Sequence, residues 1–288
     1  MAEHMQIIKR EIKSISSTER VTNAMKLVSA SKLRRAKYVY EHSSELLKKI
    51  SAAIGETFDN HDGLPEDLIL GSREIKRTCY IVITASSGLC GSYNGNMIRK
   101  ADEIFAESES MPEIVTIGAK GKTHFQHRGL DIIMSFDESP DAFTYEDAQR
   151  MAQDLIEKYH AGEIDEIMIL YTSFVNMLKQ QIITERILPI DIHEHMPESS
   201  SAMNVDYLPS PEEVFNYLTE KYLELRLYNA AIEAATCEHS ARRTAMENAN
   251  DNAREMLDTL RLRYNRARQS MITDMIIEIV SGSEAQQV

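Results

Sequence analysis

Glycine and proline are missing from both ends of this chain. Neither occurs before Gly55, and neither occurs between Glu212 and Ser281; most of the rest fall between Gly63 and Pro211. Long stretches of good helix formers without these breakers predict two long helices. At 1.5 Å per residue the N-terminal one could reach roughly 75 Å and the C-terminal one roughly 100 Å, more than an ordinary small domain spans. Cysteine is scarce too. Cys79, Cys90 and Cys237 stand alone without CxxC spacing. That excludes a disulfide framework and a cysteine zinc site, and buried reduced thiols are expected. No apolar run approaches the ~20 residues of a membrane span. The opening MAEHMQIIKREIKS lacks the apolar core of a secretory signal, so a cytosolic chain is expected. Positive charge is outweighed, with a formal net charge of −13. A chain this acidic is a poor general binder of nucleic acid, whose phosphates would repel most of it.

What is present is a folded composition of 288 residues, 43% hydrophobic and 27% charged, enough for one large domain or two smaller ones. The charge is unevenly placed. Between Met1 and Tyr40 nine basic residues, Lys9, Arg10, Lys13, Arg20, Lys26, Lys32, Arg34, Arg35 and Lys37, face three acids, Glu3, Glu11 and Glu19. That segment carries +6, leaving −19 for the remainder. A basic helix on an acidic chain describes a partner surface.

Both ends carry heptad patterns. In the last third, Met246, Ala253, Leu260 and Ala267 recur every seven residues; Ala249 and Met256 form the second seam position, flanked by Leu257, Tyr264 and Met271. Near the start, Ile8, Ile12, Ile15, Thr22, Ser29, Leu33, Ala36 and Tyr40 follow the same spacing, with Glu19 and Lys26 as polar interruptions and Val21, Ala24, Met25 and Val28 as an adjacent stripe. Steps of three and four are a coiled-coil seam. Two matching ends around a folded middle pair most simply with each other, antiparallel; a coiled coil between two chains is the alternative.

The middle has another rhythm. TCYIVITASS, EIVTIGAKG, IDEIMILYTSF and QQIITERILPI are strand-like, whereas NMIRKADEIFAES and YEDAQRMAQDLIEKYHAG are helical, the latter with Gly162 as its C′ residue. Strand–helix alternation predicts a three-layer α/β sheet. A Pro/Ser-rich connection, HEHMPESSSAMNVDYLPSPEE, precedes the last helix. The expected division is an N-terminal coiled-coil helix over 1–60, a Rossmann-like α/β domain over 75–195, and a C-terminal coiled-coil helix over 210–283.

Candidate chemical sites fail on spacing. IGAKGKT ends like a phosphate loop at Gly121-Lys122-Thr123, but Thr116 stands where the first glycine is needed. SSGLCGSYNG follows a strand and opens a helix, where a Rossmann fold holds pyrophosphate. Its glycines, Gly88, Gly91 and Gly95, are spaced GxxGxxxG, so it reads as a tight turn with close helix–sheet packing; a helix N-terminus could lower the pKa of Cys90. His193 and His195 lack further ligands at metal spacing, as do His124 and His127. No catalytic signature, cofactor site or metal site is read.

The two ends nevertheless match something specific. IKREIKSISSTERVTNAMKLVSASKLRRAK resembles the N-terminal helix, and EHSARRTAMENANDNAREMLDTLRLRYNRARQSMITDMIIEIVSG the C-terminal helix, of the gamma subunit of rotary F-type ATP synthases; GLCGSYN is similar to that family's central turn. The resemblance runs in family order over almost the whole length. It implies a non-catalytic rotor shaft without cofactor. The paired helices would stand, one per hexamer, inside alternating alpha and beta subunits. The α/β foot would rest with the epsilon subunit on the c-ring, turned by proton or other ion transport during ATP synthesis. It implies no nucleic acid, no direct membrane insertion, and a peripheral place at the cytoplasmic face of a bacterial cell membrane. Residue by residue, it implies beta-subunit contact at Met25 and Lys26, a basic surface at Lys32, Arg34 and Arg35, and further contact at Arg242. Arg268, Gln269 and Thr273 match the patch that grips a beta-subunit loop. Asn248, Asp251 and Asn252 read as polar packing between the helices, and Gly88, Cys90, Gly91 and Asn94 as the structural turn. Tyr207 is a candidate foot contact. Where the family usually has glutamate two residues after Thr273, this chain has Met275. SISSTER replaces a more basic stretch, and the cysteine-bearing insertion of chloroplast members is not evident. A stand-alone α/β enzyme with a coiled-coil dimerisation arm is the competing reading; a nucleic-acid adaptor using the basic helix is a further one.

Overall fold

The computed structural model describes residues 2–59, 74–108, 111–176, 180–191 and 207–285. His193, His195 and most of the Pro/Ser-rich connection lie outside the described residues. Helix α1 (Ala2–Asp59) runs through the breaker-free N-terminal stretch, and helix α5 (Pro211–Ala285) through the C-terminal one. The start of α5 is encoded locally: the Glu213 N–H donates to Ser210 Oγ, Pro211 occupies a first-turn position where no N–H is needed, and Glu212 and Glu213 face the helix dipole.

Between them the chain runs β1 (Thr78–Ile83), α2 (Tyr93–Glu107), β2 (Glu113–Ile117), α3 (Ala119–His127), β3 (Ile132–Phe136), α4 (Tyr145–His160), β4 (Glu166–Phe174) and β5 (Gln180–Leu188). The strands form one sheet in the order β3-β2-β1-β4-β5; the first four are parallel and β5 returns antiparallel along β4. Helix α4 shows how local sequence sets its ends. Thr144 and Asp147 form a capping box at its start. At its end Gly162, at φ 70°, donates to Tyr159 O while Glu163 N–H donates to Lys158 O, the Schellman arrangement.

The sheet is covered on both faces, so its central strands read as nearly continuous apolar runs. Tyr80 and Val82 of β1 pack with Met97 and Ala101 of α2 and Phe125 of α3. The alternate residues Cys79, Ile81 and Ile83 pack in the larger core with Met151, Leu155 and Tyr159 of α4, Ile54 of α1, and Phe215, Leu223 and Leu227 of α5. Sequence patterning alone did not separate α3 and β3 as elements; both are short, and every residue of β3 is only half-buried.

The chain forms two compact units. One comprises Ala30–Ala241, with the sheet and its covering helices. The other comprises residues up to Ser29 together with those from Arg242 onward. In the latter, Arg254 pairs with Glu19 at 3.3 Å and Lys26 with Glu247 at 3.9 Å, so the chain ends run antiparallel. Ile8, Thr22, Ser29, Met246, Asn250, Ala253 and Leu257 are its buried seam residues.

This seam corrects one expectation. Met256 is 55% exposed and Ala249 only half-buried; the second seam position is Asn250, followed by Leu257, Tyr264 and Met271. Both choices fit alternating steps of three and four. Hydrophobicity favours Ala249, but the fold buries Asn250 because its Nδ2 donates to Glu19 O at 2.9 Å and to Thr22 Oγ1 at 3.3 Å. Asn248, Asp251 and Asn252 are exposed rather than packed between the helices.

Candidate interaction surfaces

Ligands of doubly wound sheets bind outside the carboxyl ends of the strands, where the strand order reverses. Here β1 continues outward to β2 and β3, and the chain then crosses back to β4, placing that point at the ends of β1 and β4. The GLCGSYNG turn lies there, and so does the chain's own helix α5. Ala85, Cys90 and Tyr93 form a buried cluster with Cys237 of α5, with Phe174 packed against it. The Tyr93 hydroxyl donates to Ala234 O at 3.1 Å, and Gln180 Nε2 donates to Cys237 O at 3.1 Å. Burial, with Glu238 nearby, pushes the Tyr93 hydroxyl well above its ordinary pKa, and burial does the same to the Cys237 thiol. A helix therefore occupies the place where a nucleotide would sit.

The turn itself is held by Asn94, whose Oδ1 accepts from Ala85 N–H at 2.9 Å and whose Nδ2 donates to Ser87 O at 3.3 Å. Leu89 and Gly91 both adopt φ 61°. A Cβ on Gly88 or Gly95 would meet nothing within 4 Å, so close helix–sheet packing is not what those two glycines provide. Close packing occurs instead in the second glycine segment. A Cβ on Gly118, at φ 95°, would lie 2.0 Å from Thr84 O, and Gly121 N–H donates to Thr84 Oγ1 at 2.9 Å. Lys122 pairs with Asp137 at 2.8 Å. The segment fastens α3 to the end of β1, with its lysine already engaged. His124 lies 3.1 Å from Asp102, which also holds Arg128, whereas His127 is exposed in the last turn of α3.

The side chains read from sequence as contact residues fall into separate groups. In the hairpin unit Met25 is half-buried, and half-buried Lys26 is engaged with Glu247. Arg268, Gln269 and Thr273 are exposed on α5, the Thr273 hydroxyl donating back to Gln269 O at 3.0 Å. Glu247 precedes Arg268 by 21 residues on α5, so the two groups lie roughly 30 Å apart along that helix. In the sheet unit Arg34 and Arg35 are exposed, and Lys32 donates to Asp141 at 2.9 Å. Arg242 differs: only 7% of it is exposed, which makes it a packing residue in this chain. Tyr207 is half-buried beside Leu208, which is exposed.

Two further surfaces are apolar. On α1, Val21, Leu27 and Val28 are exposed. Near the end of α5, Ile272, Met275, Ile276, Ile277, Ile279 and Val280 are all exposed. Their run, MITDMIIEIV, is by sequence apolar around most of the helix circumference, with Asp274 and Glu278, four residues apart, on the one polar face; so broad an exposed apolar surface marks an interaction site. Among the described residues no helix is long and apolar enough to cross a membrane.

A Rossmann-like sheet whose ligand crevice holds its own helix, in a chain whose paired ends expose apolar and basic surface, defines a protein that works through protein contacts. Residues 4–286 match the family model described as ATP synthase. The chain belongs to that family, and its relatives in it are gamma chains. It is 42% identical over 287 residues to the ATP synthase gamma chain of Alkaliphilus metalliredigens, covering 98% of each chain. Among solved structures it is similar to a chain of the Euglena gracilis mitochondrial ATP synthase OSCP/F1/c-ring assembly, with TM-score 0.67 and 17% identity over 99% of this chain and 95% of that one. A chain of the Tetrahymena thermophila mitochondrial ATP synthase central stalk and c-ring gives TM-score 0.60 and 21% identity, over 80% of this chain and 99% of that one.

Proposed function

We propose that this chain is the central-stalk rotor subunit of a bacterial F-type ATP synthase, coupling ion-driven rotation of a c-ring to conformational cycling of beta-subunit catalytic sites. The observation that carries the reading is the antiparallel pairing of the two chain ends, Glu19 with Arg254 and Lys26 with Glu247, in a chain matched from end to end by gamma chains. The hairpin serves as the shaft inside a hexamer of alpha and beta subunits, one per hexamer, and the sheet unit serves as the foot with epsilon on the c-ring. Of the helices over 1–60 and 210–283, the parts up to Ser29 and from Arg242 are the shaft, and the parts within Ala30–Ala241 belong with the 75–195 domain to the foot. The complex is peripheral to the cell membrane, on its cytoplasmic face. Nucleotide turnover belongs to the partners; this chain contributes no catalytic residue, and the α5-filled crevice agrees with that role.

Met25, Arg34 and Arg35 together with Arg268, Gln269 and Thr273 are the proposed beta-subunit contacts. Solvent-exposed ion pairs contribute only about 0–1 kcal/mol each. Contacts of that strength suit a surface that must engage and release three times per turn. Lys26 and Lys32 spend part of their charge within the chain, on Glu247 and Asp141. Tyr207 with exposed Leu208 is the proposed foot contact.

Reconstitution with cognate alpha and beta subunits tests the reading. One copy per hexamer with sustained multisite hydrolysis is expected. Arg268→Ala and Gln269→Ala are expected to lower turnover several-fold with assembly intact. Failure of the wild-type chain to assemble or to change turnover would sink the rotor reading.

A further inference from the structure

Helix α5 is buried on every side where it passes through the sheet unit: from Tyr222 to Ser240 each residue except Tyr228 is buried. Half-buried or buried apolar surface there is expected, but this stretch also carries Glu224, Arg226, Asn229, Glu233, Glu238 and His239. The partners of Glu224, Arg226, Asn229, Glu233 and His239 lie on different sides of the helix. Glu224 accepts from the Tyr145 hydroxyl of α4 and pairs with Lys221 at 2.8 Å. Arg226 Nε donates to Glu185 of β5 at 2.7 Å, and its Nη2 donates to the Tyr171 hydroxyl of β4 at 2.7 Å. Asn229 Nδ2 donates to Ser43 Oγ of α1 at 2.9 Å. Glu233 Oε1 accepts from Ser173 Oγ at 2.7 Å and from Phe174 N–H at 2.8 Å, both on β4. His239 Nε2 lies 3.4 Å from the Asp141 carboxylate, which also receives Lys32 of α1.

We infer that these contacts key α5 against rotation about its own axis, and that through them torque passes between the sheet unit and the shaft. The inference rests on the rotor reading above. The hydrophobic effect is itself non-directional; close packing of apolar side chains resists rotation sterically, and directional hydrogen bonds add to that resistance. Side-chain tips stand about 5–6 Å from a helix axis, so a 20° turn moves them by roughly 2 Å. That exceeds the distance window of any hydrogen bond, and all the keys would break together. Because they point to α4, to the sheet and to α1, no single rotation preserves them. A subunit that only had to fold could fill the same positions with the Ala and Leu residues that already surround them.

The test removes three oxygens and almost no volume: Tyr145→Phe, Tyr171→Phe and Ser173→Ala in one chain. Each buried charge keeps a partner, since Glu224 retains Lys221, Arg226 retains Glu185, and Glu233 retains the Phe174 N–H. All three native cysteines are buried, so a cysteine introduced at exposed Lys100 on α2 can carry a bead on the sheet unit. The assembled complex is fixed by its hexamer, and ATP-driven bead rotation is recorded at low and at high viscous load beside bulk hydrolysis. Hydrolysis and low-load rotation within about two-fold of wild type, with a fall of at least two-fold in high-load rotation, is expected. Wild-type rotation at high load would overturn the inference. Failure of the triple variant to assemble would overturn it as well, by showing that these bonds serve folding. A wild-type complex that does not rotate would remove the rotor reading itself.

Discussion

Replacing Asn250 by leucine should strengthen the hairpin formed by the chain ends. Asn250 is fully buried in the seam; its Nδ2 makes two hydrogen bonds, and its Oδ1 has none. The two bonds contribute about 0.5–1.5 kcal/mol each, and the unpaired oxygen costs about 1–3 kcal/mol, so the side chain is close to neutral. Leucine leaves no buried donor stranded, because the Thr22 hydroxyl still donates to Thr18 O and Glu19 O, each at 3.0 Å. A fully buried leucine contributes about 1.5–3 kcal/mol. Allowing for imperfect shape, Asn250→Leu should stabilise the hairpin by about 1–2 kcal/mol, a factor of roughly 5–30 in its opening equilibrium. The hairpin is a separate compact unit, so hydrogen exchange of amides in 5–29 and 242–277, rather than a global melt, reads the effect. Slower exchange there with the sheet unit unchanged is the expected result. Faster exchange would refute the reasoning and mean that the polar pair is net stabilising. The natural asparagine then makes sense as a register pin: a single buried polar layer specifies one alignment of two helices at some cost in stability.

Gly118→Ala places a Cβ 2.0 Å from Thr84 O at φ 95°, and should cost more than about 4 kcal/mol in denaturant unfolding of the sheet unit. Gly95→Ala, inside α2 with open space around it, should instead stabilise by about 0.5–1 kcal/mol in the same assay. The Asp141 carboxyl is held far below the usual carboxylate range by His239 first, then by Ser139 and Lys32. A depressed carboxylate adds stability above its unfolded pKa near 3.9 and loses it as pH falls towards the folded value. Melts of Asp141→Asn should therefore lose stability less steeply than wild type below about pH 4; identical acid limbs would contradict this.

Both long helices were legible because helix length needs no tertiary information when breakers are absent over dozens of residues. The α/β alternation was legible for the same local reason: strands buried on both faces are continuously apolar, and α4 carries its own capping box and Gly162. The short α3 and the half-buried β3 gave no such signal. Of the contact residues, Arg268, Gln269 and Thr273 are exposed on α5, but Arg242 is buried, which an arginine's chemistry alone does not announce. Exposed Val21, Leu27 and Val28 and the run from Ile272 to Val280 were visible as apolar residues, yet only the fold shows that this chain leaves them uncovered.

By itself, then, the amino-acid sequence determined what depends on strong local patterning: the extent of the two long helices, four of the five strands, charge asymmetry, and the heptad spacing that lets the ends pair. Tertiary structure decided what depends on which surfaces meet. Two seam registers fit the same spacing, and Asn250 won over Ala249 because Glu19 and Thr22 across the hairpin satisfy it. A glycine turn after a parallel strand fits a nucleotide site, and it is not one here because residues about 140 positions later in the chain, from Glu233 to Ala241, lie across it. Such outcomes turn on the burial and pairing of polar groups between distant segments, which no local window of the sequence contains.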